Sequence, residues 1–297
     1  MCQNSARGSL VGMLKSLRVC KTIAEIRDVV KELRRSGPVA LVPTMGYFHE
    51  GHLTLMREAR RRFPSVVVSI FVNPLQFGPQ EDFKTYPRNL ERDLALARET
   101  GVAAVFAPEV EEMYPGSVLT CVDVERLSAV LCGCTRPGHF RGVATVVTKL
   151  FNIIRPDAAF FGQKDAQQLQ VIRRLVRDLN FDIEIVAVPT VREPDGLAMS
   201  SRNVYLSPEE RRAAVVLYRS LVAARERILA GESDLAAVEE QLAADIAAEP
   251  LAVLEYAAIL ALPDLTPPTD EDRELLLAVA ARFGRARLID NVTVWRE

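Results

Sequence analysis

Short apolar runs without polar alternation recur along this chain, and each is followed by a segment whose apolar residues return at helical spacing. A strand with one face in water alternates; a strand covered on both faces does not. Val39-Ala-Leu-Val42 is the first such run, and Val66 to Val72, Ala103 to Phe106, Ala158 to Phe161 and Ile183 to Val188 repeat it. Between them Leu53 to Arg62, Leu90 to Arg98, Val143 to Ile154 and Ala166 to Leu179 read as helices. A first helix opens at Thr22 and Glu25, which have capping-box spacing, and stops at Gly37-Pro38. Strands alternating with helices predict an α/β fold with a Rossmann-like, doubly wound parallel sheet.

The 297 residues leave room for two domains at roughly 150 residues each. Residues 1–189 are expected to hold the parallel sheet, with 1–18 a loose extension that shows no period and Met13 as an alternative start. Past Pro189 the texture changes to a loop from Arg192 to Asn203, Ala-rich helical stretches from Pro208 to Leu229 and Leu235 to Ala248, and strand-like ends near Leu254 to Leu260 and Arg287 to Val294. Residues 190–297 are therefore expected to form a second, smaller C-terminal α/β domain, a lid over the first. Within it Ser207-Pro208-Glu209-Glu210 supplies a cap, a first-position proline and first-turn acids.

Charge excludes some partners. Lys plus Arg is 37 and Asp plus Glu is 39, a net charge of −2, so no global field draws the protein to nucleic acid or an anionic membrane. The most apolar stretches, Val66 to Val72 and Leu275 to Ala281, fall far short of the roughly 20 residues that span a bilayer. Arg7, Lys15, Arg18 and Lys21 interrupt any signal-like apolar region, which predicts a cytoplasmic location. Five cysteines, an odd and sparse set, fit reduced thiols.

The most informative stretch is Pro43-Thr44-Met45-Gly46-Tyr-Phe-His49-Glu-Gly51-His52, directly after a strand and at the start of a helix. Glycines let backbone approach a ligand, and the free N–H groups at a helix start attract an anion, so the stretch predicts a phosphate site. Gly46 and Gly51 have P-loop spacing, but His52-Leu53 stands where a P-loop needs Lys and Ser or Thr. No GxGxxG follows the strand, and two histidines without further ligands do not make a zinc site.

His49-Glu-Gly51-His52 resembles the HxGH element of the nucleotidyltransferase superfamily, which is related to class I aminoacyl-tRNA synthetases. Three further stretches narrow the resemblance: Ser69-Ile-Phe-Val-Asn73-Pro-Leu-Gln76-Phe, Phe161-Gly162-Gln-Lys164-Asp165-Ala-Gln-Gln168 and Met199-Ser200-Ser201-Arg202-Asn203. In this order they are similar to the pantothenate synthetase (pantoate–β-alanine ligase) family, from about residue 19 to the C-terminus. Read by themselves, Asn73-Pro74 is a turn, Lys164 a solvated lysine at a sheet edge, and the Met199 segment either a plain loop or a mobile lid.

The resemblance implies ATP-dependent condensation of pantoate with β-alanine to pantothenate, AMP and pyrophosphate through a pantoyl adenylate. It implies catalytic roles for His49, His52, Lys164, Ser200, Ser201 and Arg202, and an ATP site of Pro43, Thr44, Met45, Gly46, His52, Gly162, Lys164, Asp165, Val191, Met199, Ser200, Ser201 and Arg202. Pantoate would lie on Gln76 and Gln168, with Asn73 and Tyr86 nearby. Mg²⁺ would accompany ATP, with Asp93 as the candidate ligand, although Arg92 stands where some relatives carry an adjacent acid. A homodimer is implied as well. Cys132-Gly-Cys134 with His139 has a metal-like look, but Arg136-Pro-Gly-His139-Phe-Arg-Gly142 matches a family loop and helix start, which favours packing over zinc. The competing readings are a cytidylyl- or adenylyltransferase, a tRNA synthetase, disfavoured by size and charge, and an ATP-sensing module without turnover.

Overall fold

The computed structural model describes residues 17–79 and 81–296. The expected extension over 1–18 lies outside the described residues up to residue 16, together with Met13, Arg7, Lys15 and Cys2. At its end the expectation is corrected, because Arg18 opens a strand, β1 (Arg18–Cys20), paired in parallel with β4 (Ala104–Phe106). Three residues are too few to show a period, so this edge strand leaves no pattern to read.

Six parallel strands form one sheet in the order β1-β4-β3-β2-β5-β6, with β2 at Val39–Thr44, β3 at Ser65–Ile70, β5 at Ala158–Gly162 and β6 at Glu184–Val188. Successive strand residues belong to opposite faces. Val39, Leu41, Val67, Phe106, Ala159 and Phe161 pack with α1 (Ile23–Leu33), α6 (His139–Ile154) and α7 (Ala166–Asp178). Ala40, Val42, Val66, Val68, Val105 and Phe160 pack with α2 (Glu50–Arg62) and α3 (Leu90–Glu99). Both faces are therefore dry, which is why these strands carry no alternation. Two short helices, α4 (Val110–Met113) and α5 (Cys132–Thr135), interrupt the crossover from β4 to α6.

The chain runs outward from β2 through β3 to β4 and then returns to the other side of β2 to place β5. The strand order reverses between β2 and β5, and the carboxyl ends flanking such a reversal are where open α/β sheets bind ligands. The two richest motifs, Pro43 to His52 and Gly162 to Gln168, follow these two strands.

The remaining elements are α8 (Pro208–Ala213), α9 (Val216–Leu229), α10 (Leu235–Ala247) and an antiparallel sheet of β7 (Val253–Ala261), β8 (Glu274–Phe283) and β9 (Ala286–Trp295). The expected elements do not include β8. Its Leu275, Leu277, Val279 and Ala281 pack on α9 and α10, while Leu276 and Ala278 pack on the core of the larger sheet. The expected single helix from Pro208 to Leu229 is two, separated at Ala214 and Val215, where Leu217 N–H bonds back only three residues to the Ala214 carbonyl. No proline or glycine marks that break.

Candidate active site

The turn after β2 needs two consecutive residues at positive φ, Gly46 at +82° and Tyr47 at +52°. The second is uncommon for a side-chain-bearing residue and is held by Asp93, whose oxygens accept the N–H groups of Tyr47 at 2.7 Å and Phe48 at 2.8 Å. Asp93 is 1% exposed and lines none of the clefts at the sheet edge, and a Cβ on Gly46 would sit 3.0 Å from its Oδ2. The expectation that Asp93 ligates a metal is thereby corrected: it shapes the loop from beneath. Gly46 likewise permits the turn and does not itself line a cleft.

The turn delivers the chain to α2, which two imidazoles cap. His49 Nδ1 accepts the Gly51 N–H at 3.2 Å, and His52 Nδ1 accepts the His49 N–H at 3.3 Å, an arrangement that brings the ring centroids to 4.1 Å. Because each Nδ1 is an acceptor, each neutral ring carries its proton on Nε2. Burial, with the Lys164 ammonium adding to it, lowers His49 to about 4. Burial also holds His52 well below the usual imidazole value, helped by His49 and Lys164. Both rings are thus neutral N–H donors at pH 7.

Two clefts of about 170 Å³ each meet at this edge. One is lined by His49, His52, Gly162, Lys164, Val191, Met199, Ser200, Ser201 and Arg202, with Pro43, Met45, Asp165 and Tyr86. The other is lined by Thr44, Gln76, Gln168 and His139, with an aliphatic and aromatic wall of Phe71, Val143, Val146, Val147, Leu150 and Phe161. Pro43, Met45, His52, Phe161, Asp165, Gln168 and Arg202 belong to both. The structure thus gathers the residues expected around ATP at one cleft except Gly46, which lines neither, and Thr44, which lines the other cleft, and it sets Tyr86, expected near pantoate, on the nucleotide side.

Asn73 also differs from expectation. It is fully buried, its Oδ1 accepts from the Leu75 N–H at 3.3 Å and the Tyr114 hydroxyl at 2.9 Å, and its Nδ2 donates to the Gly142 carbonyl and to Gln76 Oε1, both at 3.0 Å. Asn73 therefore points Gln76, whose Nε2 remains a donor toward the cleft.

Several contacts around the clefts had no place in the sequence reading. Asp82 grips Arg202 through two bonds at 3.0 and 2.9 Å, and Ser201 Oγ donates to the Tyr47 carbonyl at 3.3 Å, closing the loop onto the turn after β2. Arg136 pairs with Glu81 at 2.8 and 2.6 Å and donates to the Gln76 carbonyl at 3.2 Å. His139 Nδ1 lies 2.8 Å from the same carbonyl, so that nitrogen carries the proton and Nε2 faces Arg136 at 3.1 Å. Burial and then the Arg136 charge lower His139 to about 4. Asn291 Nδ2 donates to the carbonyls of Gln163 at 3.1 Å and Lys164 at 2.8 Å. Ser201, Arg136 and His139 stood in matched stretches, but Glu81, Asp82 and Asn291 carry no spacing signal and are read only from contacts between segments far apart in sequence.

Among the described residues no three His, Cys, Asp or Glu side chains converge as a metal site, and Cys132, Cys134 and His139 do not form one. No described helix is long and apolar enough to cross a membrane.

Residues 18–293 match the model of the family described as pantoate-beta-alanine ligase. The pantothenate synthetase of Pelotomaculum thermopropionicum is 60% identical over 92% of this chain and 97% of that protein, and that of Heliobacterium modesticaldum 57% over 94% and 99%. A crystal structure of pantothenate synthetase from Thermus thermophilus superposes with a TM-score of 0.89 at 53% identity, covering 94% of this chain and 99% of that one. A pantoate-beta-alanine ligase from Francisella tularensis, complexed with beta-gamma ATP and beta-alanine, gives a TM-score of 0.75 at 31% identity over 93% of this chain and 97% of that one.

Proposed function

The chain belongs to the pantoate–β-alanine ligase family, and on that premise we propose which of its residues join the two substrates. It is an ATP-dependent ligase that condenses pantoate with β-alanine to pantothenate, AMP and pyrophosphate through a pantoyl-adenylate intermediate. The observation that carries the residue assignment is the seam where the two clefts share His52, Asp165, Gln168 and Arg202.

A carboxylate must be activated before an amine displaces oxygen from it at neutral pH. In the first step a pantoate carboxylate oxygen bonds to the α-phosphorus of ATP as the bond to the β-phosphate oxygen breaks, and pyrophosphate leaves with that electron pair. In the second, the β-alanine amine bonds to the acyl carbon, AMP leaves with the carbon–oxygen pair, and the amine nitrogen loses a proton. No side chain need form a covalent bond, so the protein contributes alignment and charge stabilisation.

Pantoate lies in the cleft walled by Val143, Val147 and Leu150, whose aliphatic surface suits its dimethyl carbon, while Gln76 and Gln168 hydrogen-bond its hydroxyls and carboxylate. ATP lies in the other cleft, its nucleoside against Gly162, Val191 and Met199. Neutral His49 and His52 donate from Nε2 to phosphate oxygens, and Lys164, Ser200, Ser201 and Arg202 complete the phosphate shell. Arg202 exchanges Asp82 for the triphosphate when ATP binds.

Mg²⁺ accompanies ATP on this reading, and when bound it supplies positive charge against the phosphate oxygens. The donor set fits an ion held mainly by phosphate and water, with Asp165 the one carboxylate lining the nucleotide cleft among the described residues. Residues 190–297 act as a smaller lid domain, and the enzyme works as a cytoplasmic homodimer.

AMP release measured with each substrate omitted in turn tests the reading. It is expected only when pantoate, β-alanine and ATP are all present, and pyrophosphate exchange into ATP is expected to need pantoate alone. Exchange without pantoate would favour a nucleotidyltransferase, and ATP binding without AMP release a sensor.

A further inference from the structure

A third cleft, about 340 Å³, opens off the nucleotide cleft and shares Lys164, Asp165, Ser200 and Arg202 with it. Its outer wall is the β8–β9 hairpin, which contributes Arg282, Arg285 and Arg287. None of these three lines the nucleotide cleft or the acid cleft. Arg282 and Arg287 share a single carboxylate, Glu255, at 2.8 Å each. Arg285 stands at the hairpin turn, exposed, 4.9 Å over the Tyr205 ring, and makes no ion pair among the described residues. On the facing wall Arg136 is matched by Glu81 and Arg202 by Asp82. The hairpin therefore brings more positive charge to the cleft than its one carboxylate neutralises.

We propose that Arg282, Arg285 and Arg287 form a transit site for inorganic pyrophosphate, through which the leaving group of the first step passes from Lys164 and Arg202 to solvent. The proposal rests on the assignment of the two clefts to pantoate and ATP. After the first step both remain filled by the acyl adenylate, so pyrophosphate must leave by a third way, and this cleft is contiguous with the residues that hold the β- and γ-phosphates. Charge selects between the two candidate occupants. Pyrophosphate is a multiply charged anion attracted by a local surplus of guanidinium groups, whereas β-alanine is a zwitterion with no net charge for that surplus to attract.

The test is product inhibition by added pyrophosphate in Arg285→Ala, in the pair Arg282→Ala with Arg285→Ala, and in Arg285→Lys as the charge-retaining control. Arg285 is exposed at a turn, so its replacement leaves the core intact. The pyrophosphate inhibition constant is expected to rise about fivefold in Arg285→Ala, as for loss of one exposed ion contact, and further in the pair, with Arg285→Lys near the parent. The KM values for pantoate, ATP and β-alanine are expected to stay near the parent. An unchanged inhibition constant in the pair overturns the proposal, and so does a rise in the β-alanine KM with pyrophosphate inhibition intact, which would make the cleft an entry for the amine. Absence of pantoate-dependent AMP formation in the parent protein would overturn the reading of the two clefts, a result separable from either of these.

Discussion

His49 and His52 each satisfy an N–H group at the start of α2, and the same bonds leave Nε2–H as a free donor at the cleft both residues line. Capping and the supply of donors to that cleft are therefore one arrangement at this helix start. His52→Ala is expected to lower kcat by about 10²–10³, the usual effect of deleting one preorganised donor to developing charge, with a loss of about 1 kcal/mol in stability from the cap. Steady-state kinetics beside urea titration checks both; near-parental turnover in a folded variant would remove His52 from the phosphate shell. The histidines also set a pH dependence. His49 and His139 titrate near 4 when folded against about 6.5 in an unfolded chain, so between those values the unfolded state binds more protons. Stability is thus expected to be full above about pH 6.5 and to fall with acid toward pH 4, by at most about 1.4 kcal/mol per pH unit for each histidine. Urea midpoints at pH 7 and pH 5 measure it, and substitution of His139 should flatten the slope. The histidine motif was legible because strand, glycine and helix start stand together in sequence. The parts of Asp93 and Asn73 were not, because whether a polar side chain faces a ligand or a backbone N–H depends on which segment folds over it.

Helix α6 meets the turn Pro74–Gln76 so closely that a Cβ on Gly142 would lie 2.2 Å from the Leu75 carbonyl oxygen and 2.9 Å from the Gln76 nitrogen. The absence of a side chain there lets Asn73 reach the Gly142 carbonyl and point Gln76 at the cleft. Gly142→Ala is expected to push the two elements apart, with a loss of about 1–3 kcal/mol from overpacking and a raised KM for pantoate, while ATP binding is retained. Thermal melts with separate KM determinations for the two substrates check this; an equal effect on both would mean general loosening. Sequence period served well for elements packed on one face and for the strands covered on both. It failed at β8, where Leu275 to Ala281 is apolar throughout because one side meets α9 and α10 and the other meets the larger core. A run of that kind reads as core without declaring its geometry, even with Pro267-Pro268 before it and Gly284 after it. The break between α8 and α9 is likewise made by tertiary packing around buried Ala214, Val216 and Leu217.

At the scale of the whole molecule, β9 ties the C-terminal sheet to the chemistry at the edge of the parallel one. Asp290, 2% exposed, pairs through both oxygens with Arg192 at 2.6 and 2.9 Å, and Arg192 lies 3.8 Å over the Tyr218 ring. The next residue, Asn291, donates both amide hydrogens to successive backbone carbonyls, those of Gln163 and Lys164. A segment nearly 130 residues further along the chain thereby fixes the loop that carries Lys164, a link invisible in a linear reading because neither residue repeats or belongs to a motif. Asn291 acts through Lys164 and is a positioning residue. Removing its amide leaves two carbonyls without these donors, so Asn291→Ala is expected to cost about 1–3 kcal/mol. On the proposed assignment Lys164 serves ATP and not pantoate, so kcat/KM for ATP should fall about tenfold, the effect of about 1.4 kcal/mol at the transition state, with the pantoate KM unchanged. Asn291→Asp should be worse than Ala in both respects, since it would set a carboxylate against two carbonyl oxygens. A purely structural role for Asn291 predicts the opposite pattern, a lowered melting temperature with kcat/KM for ATP intact, and kinetics at a temperature where both variants are fully folded decides between them.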